Sequence, residues 1–312
     1  MKPIVEVKEL IKNYGSIQAL KGVTFTIPKG HVTGFIGPNG AGKTTTMKIL
    51  LGLLKPDYGI VRVLDLDPWV QGHILRNKLG YLPENPTYPG NVSCHEMLEF
   101  VAKLKGISST ISIEREVRKV IHVTGLKEYM NRKVESLSRG YLQRLALAIS
   151  LIGQPELVIL DEPTANLDPI ARANILKLIG KIHSDEDMDF IISSHILPEL
   201  ENICDYIIVI NNGVILDYGD ILSLTQKYLK TIKLVLEIPR GLNIKEVYRD
   251  LISLNYVEGV ELEEERRIKV LLHVKSYNDF LKFVESQKLT IIEERVPNLL
   301  KLYSKIVGEN IC

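Results

Sequence analysis

The stretch GPNGAGKTT, residues 37–45, constrains this chain more than any other. It matches G-x-x-x-x-G-K-[ST], and its surroundings give that pattern a mechanism. The apolar run HVTGFI leads into it as a short strand. After it, Met47, Leu50, Leu51 and Leu54 are spaced i, i+3, i+4, i+7, which predicts a helix with one buried stripe, stopped by the turn KPDYG. Gly37, Gly40 and Gly42 let the backbone curl so that its N–H groups point into a hollow, with Asn39 in the same loop, and the new helix adds its positive end. Lys43 can then reach the β- and γ-phosphates of a nucleotide, the Thr44 hydroxyl can ligate Mg²⁺, and Thr45 is a further phosphate donor.

A second segment completes the chemistry. In LVILDEP, residues 157–163, four apolar residues carry a strand into the core, and Asp161 and Glu162 emerge at its C-terminal end, where open α/β sheets bind ligands. Successive strand side chains face opposite ways, so the two carboxylates can take two jobs: Asp161 in a magnesium shell, Glu162 as base to the attacking water. The runs ELVILDEP and DFIISSH are short and rich in Ile and Val, as in strands buried on both faces. Strand and helix signals alternate to about residue 220, which predicts an α/β core with a parallel central sheet.

Beyond residue 220 the texture changes to strand, helix, strand, strand, helix, strand, and a last helix after Pro297. The pairs Asn243 with Glu246 and Ser276 with Asp279 read as caps of the two inner helices, and the order is that of a split βαβ, ferredoxin-like unit. The net charge is +1, which excludes a global electrostatic trap for nucleic acid. Cys94, Cys204 and Cys312 are far apart and form no CxxC pair, so neither a zinc site nor a disulfide framework is expected, and a reducing cytosol is the natural setting. The start, MKPIVEVKEL, has no signal-peptide core, and the longest apolar stretches fall well short of the roughly 18 residues of a membrane span. Work at a membrane would need another chain to cross it.

These segments resemble the nucleotide-binding subunits of ABC transporters over about residues 4–220. LSRGYLQRLALA, residues 137–148, is similar to the family's LSGGQ signature and the helix that follows it. There Ser138 and Gly140 can present a hydroxyl and backbone N–H groups at a helix N-terminus, a second anion site. The resemblance implies that this site closes over the γ-phosphate held by a partner subunit, sandwiching two ATPs in a head-to-tail dimer. It also implies that Tyr14, in KNYG, stacks on adenine, and that Asn166, Leu167 and Asp168 form the loop crossing the dimer interface. His195, ending ISSH, would contact the γ-phosphate and the attacking water. Two departures stand out. Glu84, in GYLPE, replaces the usual glutamine; its oxygen can still coordinate Mg²⁺ but adds negative charge, so metal affinity or timing is the expected casualty. Arg139 and Tyr141 stand where glycine and glutamine are usual.

The implied fold is a P-loop NTPase core with an ABC-type antiparallel β-subdomain and a helical subdomain at about 81–155, all within residues 1–220. A small α+β, ferredoxin-like accessory domain would occupy 221–312. The implied function is an ATP-binding and hydrolysing subunit, using ATP and Mg²⁺, that pairs with a second ATPase subunit as homodimer or heterodimer. It would drive a separate transmembrane permease from the cytoplasmic face of the cell membrane, gripping it through about residues 81–130. One cassette with an added C-terminal domain looks most like subunits of exporters. The alternative is a soluble ABC-type ATPase acting on ribosomes or DNA. A single phosphate loop, a single signature and no sustained heptads between residues 43 and 138 speak against it, so no nucleic acid partner is expected.

Overall fold

Two long strands precede the phosphate loop, β1 (Pro3–Tyr14) and β2 (Ile17–Pro28), paired antiparallel. Val23, Phe25 and Ile27 of β2 point inward at the period of two that a half-buried strand requires. The next strand, β3 (Val32–Ile36), is buried at every residue and leads into the loop, and α1 (Lys43–Leu50) leaves it. The chain then returns along β1 as β4 (Tyr58–Val63), giving a three-stranded antiparallel sheet in the order β2-β1-β4. Phe25 and Phe35 meet edge to face with centroids 5.6 Å apart, joining β2 to β3.

α1 is shorter than its apolar stripe. The Gly52 N–H bonds the Ile49 carbonyl and the Leu53 N–H bonds the Lys48 carbonyl, the pairing that closes a helix. Leu51 and Leu54 therefore lie past the helix, Leu51 buried and Leu54 packed against the same core. Burial, not helical continuation, accounts for the spacing.

The central sheet is assembled from distant segments in a computed structural model that describes residues 2–263, 266–295 and 299–311. After α2 (Gly72–Lys78) and β5 (Leu79–Leu82) come three helices, α3 (Cys94–Leu104), α4 (Thr110–Thr124) and α5 (Arg139–Leu151), packed on one another. A capping box starts α3: Ser93 Oγ accepts from the Glu96 N–H and Glu96 accepts from the Ser93 N–H. Then follow β6 (Leu157–Asp161), α6 (Pro169–Glu186), β7 (Asp189–Ser194), α7 (Leu197–Leu200), β8 (Tyr206–Asn211) and β9 (Val214–Asp220). Six strands lie in the order β5-β6-β7-β3-β8-β9, with the pairs β5–β6, β6–β7, β7–β3 and β3–β8 parallel. This order sets the C-terminal ends of β6, β7 and β3 side by side, so DEP, ISSH and the phosphate loop emerge together. The β8–β9 turn, Asn212-Gly213, has both residues at positive φ, 48° and 78°, as a two-residue hairpin demands. Its Gly213 N–H bonds the Ala41 carbonyl at 3.0 Å and its carbonyl accepts from Lys21 N–H at 2.8 Å, bracing the phosphate loop.

The chain divides into two compact units, Met1–Tyr218 and Gly219–Cys312. The second opens with α8 (Ile221–Tyr228), a helix that sequence patterning missed, capped by Asp220 accepting from the Ser223 N–H. It continues as β10 (Thr231–Glu237), α9 (Ile244–Ser253), β11 (Val257–Glu263), β12 (Arg267–His273), α10 (Tyr277–Ser286), β13 (Thr290–Arg295) and α11 (Leu299–Ile311). The sheet order β11-β12-β10-β13, antiparallel throughout, is the split βαβ arrangement. The unit has its own core: Ile232, Leu234, Leu236 and Val270 from strands meet Leu251 and Phe280 from helices. Asn243 caps α9 through the Lys245 N–H as well as meeting Glu246. Ser276 does not cap α10; it ends a 3₁₀ turn, Val274–Ser276, that runs straight into the helix. Pro297 and Cys312 lie outside the described residues. Among those described, no helix is long and apolar enough to cross a membrane.

Because this core is self-contained, a chain ended at Asp220 is expected to stay folded and to retain nucleotide binding. Thermal melting and a nucleotide titration check this. Loss of both would show that Met1–Tyr218 does not fold alone.

Candidate functional site

The phosphate loop is shaped by what glycine permits. Gly42, just before α1, has φ +107°, and a Cβ there would meet Leu20 Cδ2 at 2.7 Å and the Ala19 carbonyl oxygen at 3.0 Å. No other residue fits both the angle and the space. The next side chain, Lys43, folds back over the loop. Its Nζ donates to the carbonyls of Gly37 at 2.8 Å and Pro38 at 3.2 Å, and lies 3.2 Å from Glu162 Oε1. A buried ammonium needs such company, and its three donors are spent on three oxygens.

Glu162 sits in the left-handed region at φ 49°, which costs a non-glycine residue about 1–2 kcal/mol and turns the side chain across the loop. One carboxylate oxygen meets Lys43 and the other, Oε2, lies 2.9 Å from His195 Nδ1. The Glu162 N–H donates to Ser193 Oγ at 2.9 Å, and the Ser193 hydroxyl donates to Asp161 Oδ1 at 2.6 Å. One serine of β7 thus holds the Asp161 carboxylate at the end of β6 and the backbone of Glu162 just after it, with Asp161 behind and Glu162 in front.

Asn39, Gly40, Gly42, Lys43, Thr44, Thr45, Glu84, Glu162 and His195 all line one cavity of about 310 Å³, with Ala19 and Ala165 giving room. Gly37 and Asp161 are not on its wall; Gly37 supports Lys43 from the strand end, and Asp161 stands one layer back. Sequence reasoning missed Tyr81, three residues before Glu84. Burial, then the carboxylates of Asp161 and Glu84, push its phenol up to about 12, so it stays protonated beside two acidic groups.

Ser138, Gly140 and Asp168 line a different cavity of about 380 Å³, with Arg139, Tyr141, Asn166 and Leu167. Ser138 occupies the N-cap position of α5 but its hydroxyl caps nothing. Asp168 caps α6, accepting from the Ala171 N–H at 2.9 Å. The unusual Tyr141 is held by its neighbours: its ring stacks on Tyr129 with centroids 3.7 Å apart, and Arg132 and Arg144 lie over the pair. Tyr14, at the end of β1, lines neither cavity; the residue is 48% exposed, with Lys12 Nζ 6.0 Å from the ring centroid. A single copy of this chain therefore places the phosphate-loop residues and the signature residues in two separate cavities.

Comparison with known proteins gives a consistent answer. The family model described as "ABC transporter" matches residues 20–165. The bacitracin transport ATP-binding protein BcrA of Enterococcus faecalis is 35% identical over 230 residues, 74% of this chain and 73% of that one. The linearmycin resistance ATP-binding protein LnrL of Bacillus subtilis is 28% identical over 312 residues, 99% of each chain, so the likeness runs through the second unit. Among solved structures, the dimeric ATP-binding cassette MJ0796 in a post-hydrolysis state, bound to ADP and Pi, superposes with a TM-score of 0.61 at 25% identity, covering 69% of this chain and 98% of that one.

Proposed function

The chain belongs to the ATP-binding subunits of ABC transporters, and from that membership we propose that it binds and hydrolyses ATP at two sites shared between paired subunits, powering a permease that exports its substrate. The observation that carries this is Glu162, bridged between Lys43 and His195 at the mouth of the phosphate loop. A triphosphate offers Lys43 more negative charge than one carboxylate does, so its arrival releases Glu162 Oε1 toward water. Glu162 then accepts the proton of the attacking water, while His195 holds the other carboxylate oxygen and orients it. The partner subunit's signature segment would supply the remaining anion contacts.

Thr44 and Glu84 on the cavity wall and Asp161 behind it are hard oxygen donors, a set that suits Mg²⁺. When bound there, the ion would neutralise charge on the β- and γ-phosphates. The negative Glu84 strengthens the attraction for the cation and opposes the approach of the γ-phosphate.

Relatives named for bacitracin transport and linearmycin resistance support the export direction. Phe100, Leu104 and Ile111, exposed on α3 and α4, support contact between this helical segment and a membrane partner at the cytoplasmic face. The test is phosphate release by the purified chain with ATP, with and without Mg²⁺, and its stimulation when the chain is reconstituted with its permease. No hydrolysis in either setting would overturn the proposal. Tyr14→Ala is expected to weaken ATP affinity by about 1–2 kcal/mol, the scale of base–aromatic stacking. An unchanged dissociation constant by titration would make Tyr14 a surface residue only.

A further inference from the structure

Glu199 and Arg172 line neither cavity, yet they grip the segment that connects the two. Glu199 lies on α7, four residues after His195, and spends both carboxylate oxygens. Its Oε2 accepts from Thr164 Oγ1 at 2.6 Å, and its Oε1 lies 2.9 Å from Arg172 Nη1. Arg172, in the first turn of α6, turns its Nε to the Leu167 carbonyl at 2.7 Å. Gln143, on the signature helix α5, adds a hold on the same stretch by donating to the Pro163 carbonyl at 2.6 Å.

The stretch so gripped is residues 162–168. It begins with Glu162 at φ 49° and includes Asn166 at φ 61°, two non-glycine residues in the left-handed region. Backbone of that kind persists only when its surroundings over-determine it. Thr164 and Leu167, the points where the clamp attaches, lie within it, and Thr164 is buried. The Glu199 and Arg172 side chains are 13% and 30% exposed, so the pair is screened less than a fully exposed surface ion pair.

We propose that the Glu199–Arg172 pair is a positioning element for hydrolysis: it fixes the 162–168 segment to the His195 segment, so that Glu162 faces the phosphate loop while Asn166–Asp168 faces the second cavity. This rests on the shared-site function proposed above. Neither residue touches nucleotide; both act through Thr164 and Leu167. A merely structural staple would change stability, whereas a positioning element changes the chemical step at unchanged nucleotide affinity.

The test compares full-length wild type, Glu199→Gln, Arg172→Lys and Arg172→Ala for ATP turnover, nucleotide affinity and melting temperature. Glu199→Gln alters no volume and can keep its oxygen on Arg172 and turn its NH2 to the Thr164 hydroxyl oxygen, but it removes the negative charge that holds the guanidinium and reverses the Thr164 hydrogen bond. In Glu199→Gln and Arg172→Ala, kcat is expected to fall about tenfold or more while the nucleotide dissociation constant stays within about twofold, with Arg172→Lys in between. Unchanged kcat in both Glu199→Gln and Arg172→Ala would overturn the inference. So would a drop in kcat matched by an equal loss of nucleotide affinity or of folded protein in Glu199→Gln, the mildest change. Wild-type protein with no Mg-ATP turnover beyond a Lys43→Ala control would instead sink the proposed function and not this inference alone.

Discussion

Glu162→Gln is expected to bind ATP with near wild-type affinity and to hydrolyse it about 10²–10⁴-fold more slowly, the usual worth of a positioned base. The amide fills the same space and keeps an oxygen for Lys43, which also retains the Gly37 and Pro38 carbonyls. What it lacks is a basic oxygen to take the proton from water. Lys43 loses its carboxylate partner and is left freer for phosphate, so affinity should not suffer. Single-turnover phosphate release separates the two effects, because a binding defect disappears at saturating ATP and a chemical defect does not. With hydrolysis blocked, ATP should hold the protein as a dimer during size-exclusion chromatography. Near-normal release by the variant would remove Glu162 from the catalytic role.

The parts of this site that were legible in the sequence are those whose chemistry is local. A glycine loop between a strand and a helix, and two carboxylates at the end of an apolar strand, each state their own constraints within a few residues. Because β6, β7 and β3 are neighbours, those local segments also come together as expected, with His195 2.9 Å from Glu162. What sequence could not give was partnership across distance. Arg172 and Glu199 are 27 positions apart, on segments singled out for other residues, and nothing in either stretch says that their side chains meet. Tyr81 was hidden for a related reason: only folding sets it beside Asp161 and Glu84. In the second unit the alternation of β10 and β12 was plain. The short α8 was not, although Asp220 offers it a local cap, and the cap at Ser276 goes unused because a 3₁₀ turn runs straight into the helix.

Mixing two nearly inactive variants, Lys43→Ala and Ser138→Arg, is expected to restore ATP hydrolysis. The reason lies in the two cavities: Lys43 lines one and Ser138 the other, and no residue lines both. If each ATP needs Lys43 from one subunit and Ser138 from its partner, a Lys43→Ala homodimer loses both sites at the phosphate-loop side. A Ser138→Arg homodimer loses both at the signature side, where a second guanidinium beside Arg139 blocks the end of α5. In the heterodimer one site carries both lesions and the other carries neither. Random pairing at equal concentrations makes half the dimers mixed, each with one intact site of two, so activity should rise to about a quarter of wild type. A site complete within one chain has no way to produce that rise, since each variant would keep its own lesion in any partnership. Phosphate release measured across mixing ratios should therefore peak near equal amounts and fall to background at either end. The outcome that sinks the shared site is Ser138→Arg protein that hydrolyses ATP alone at the wild-type rate across all concentrations.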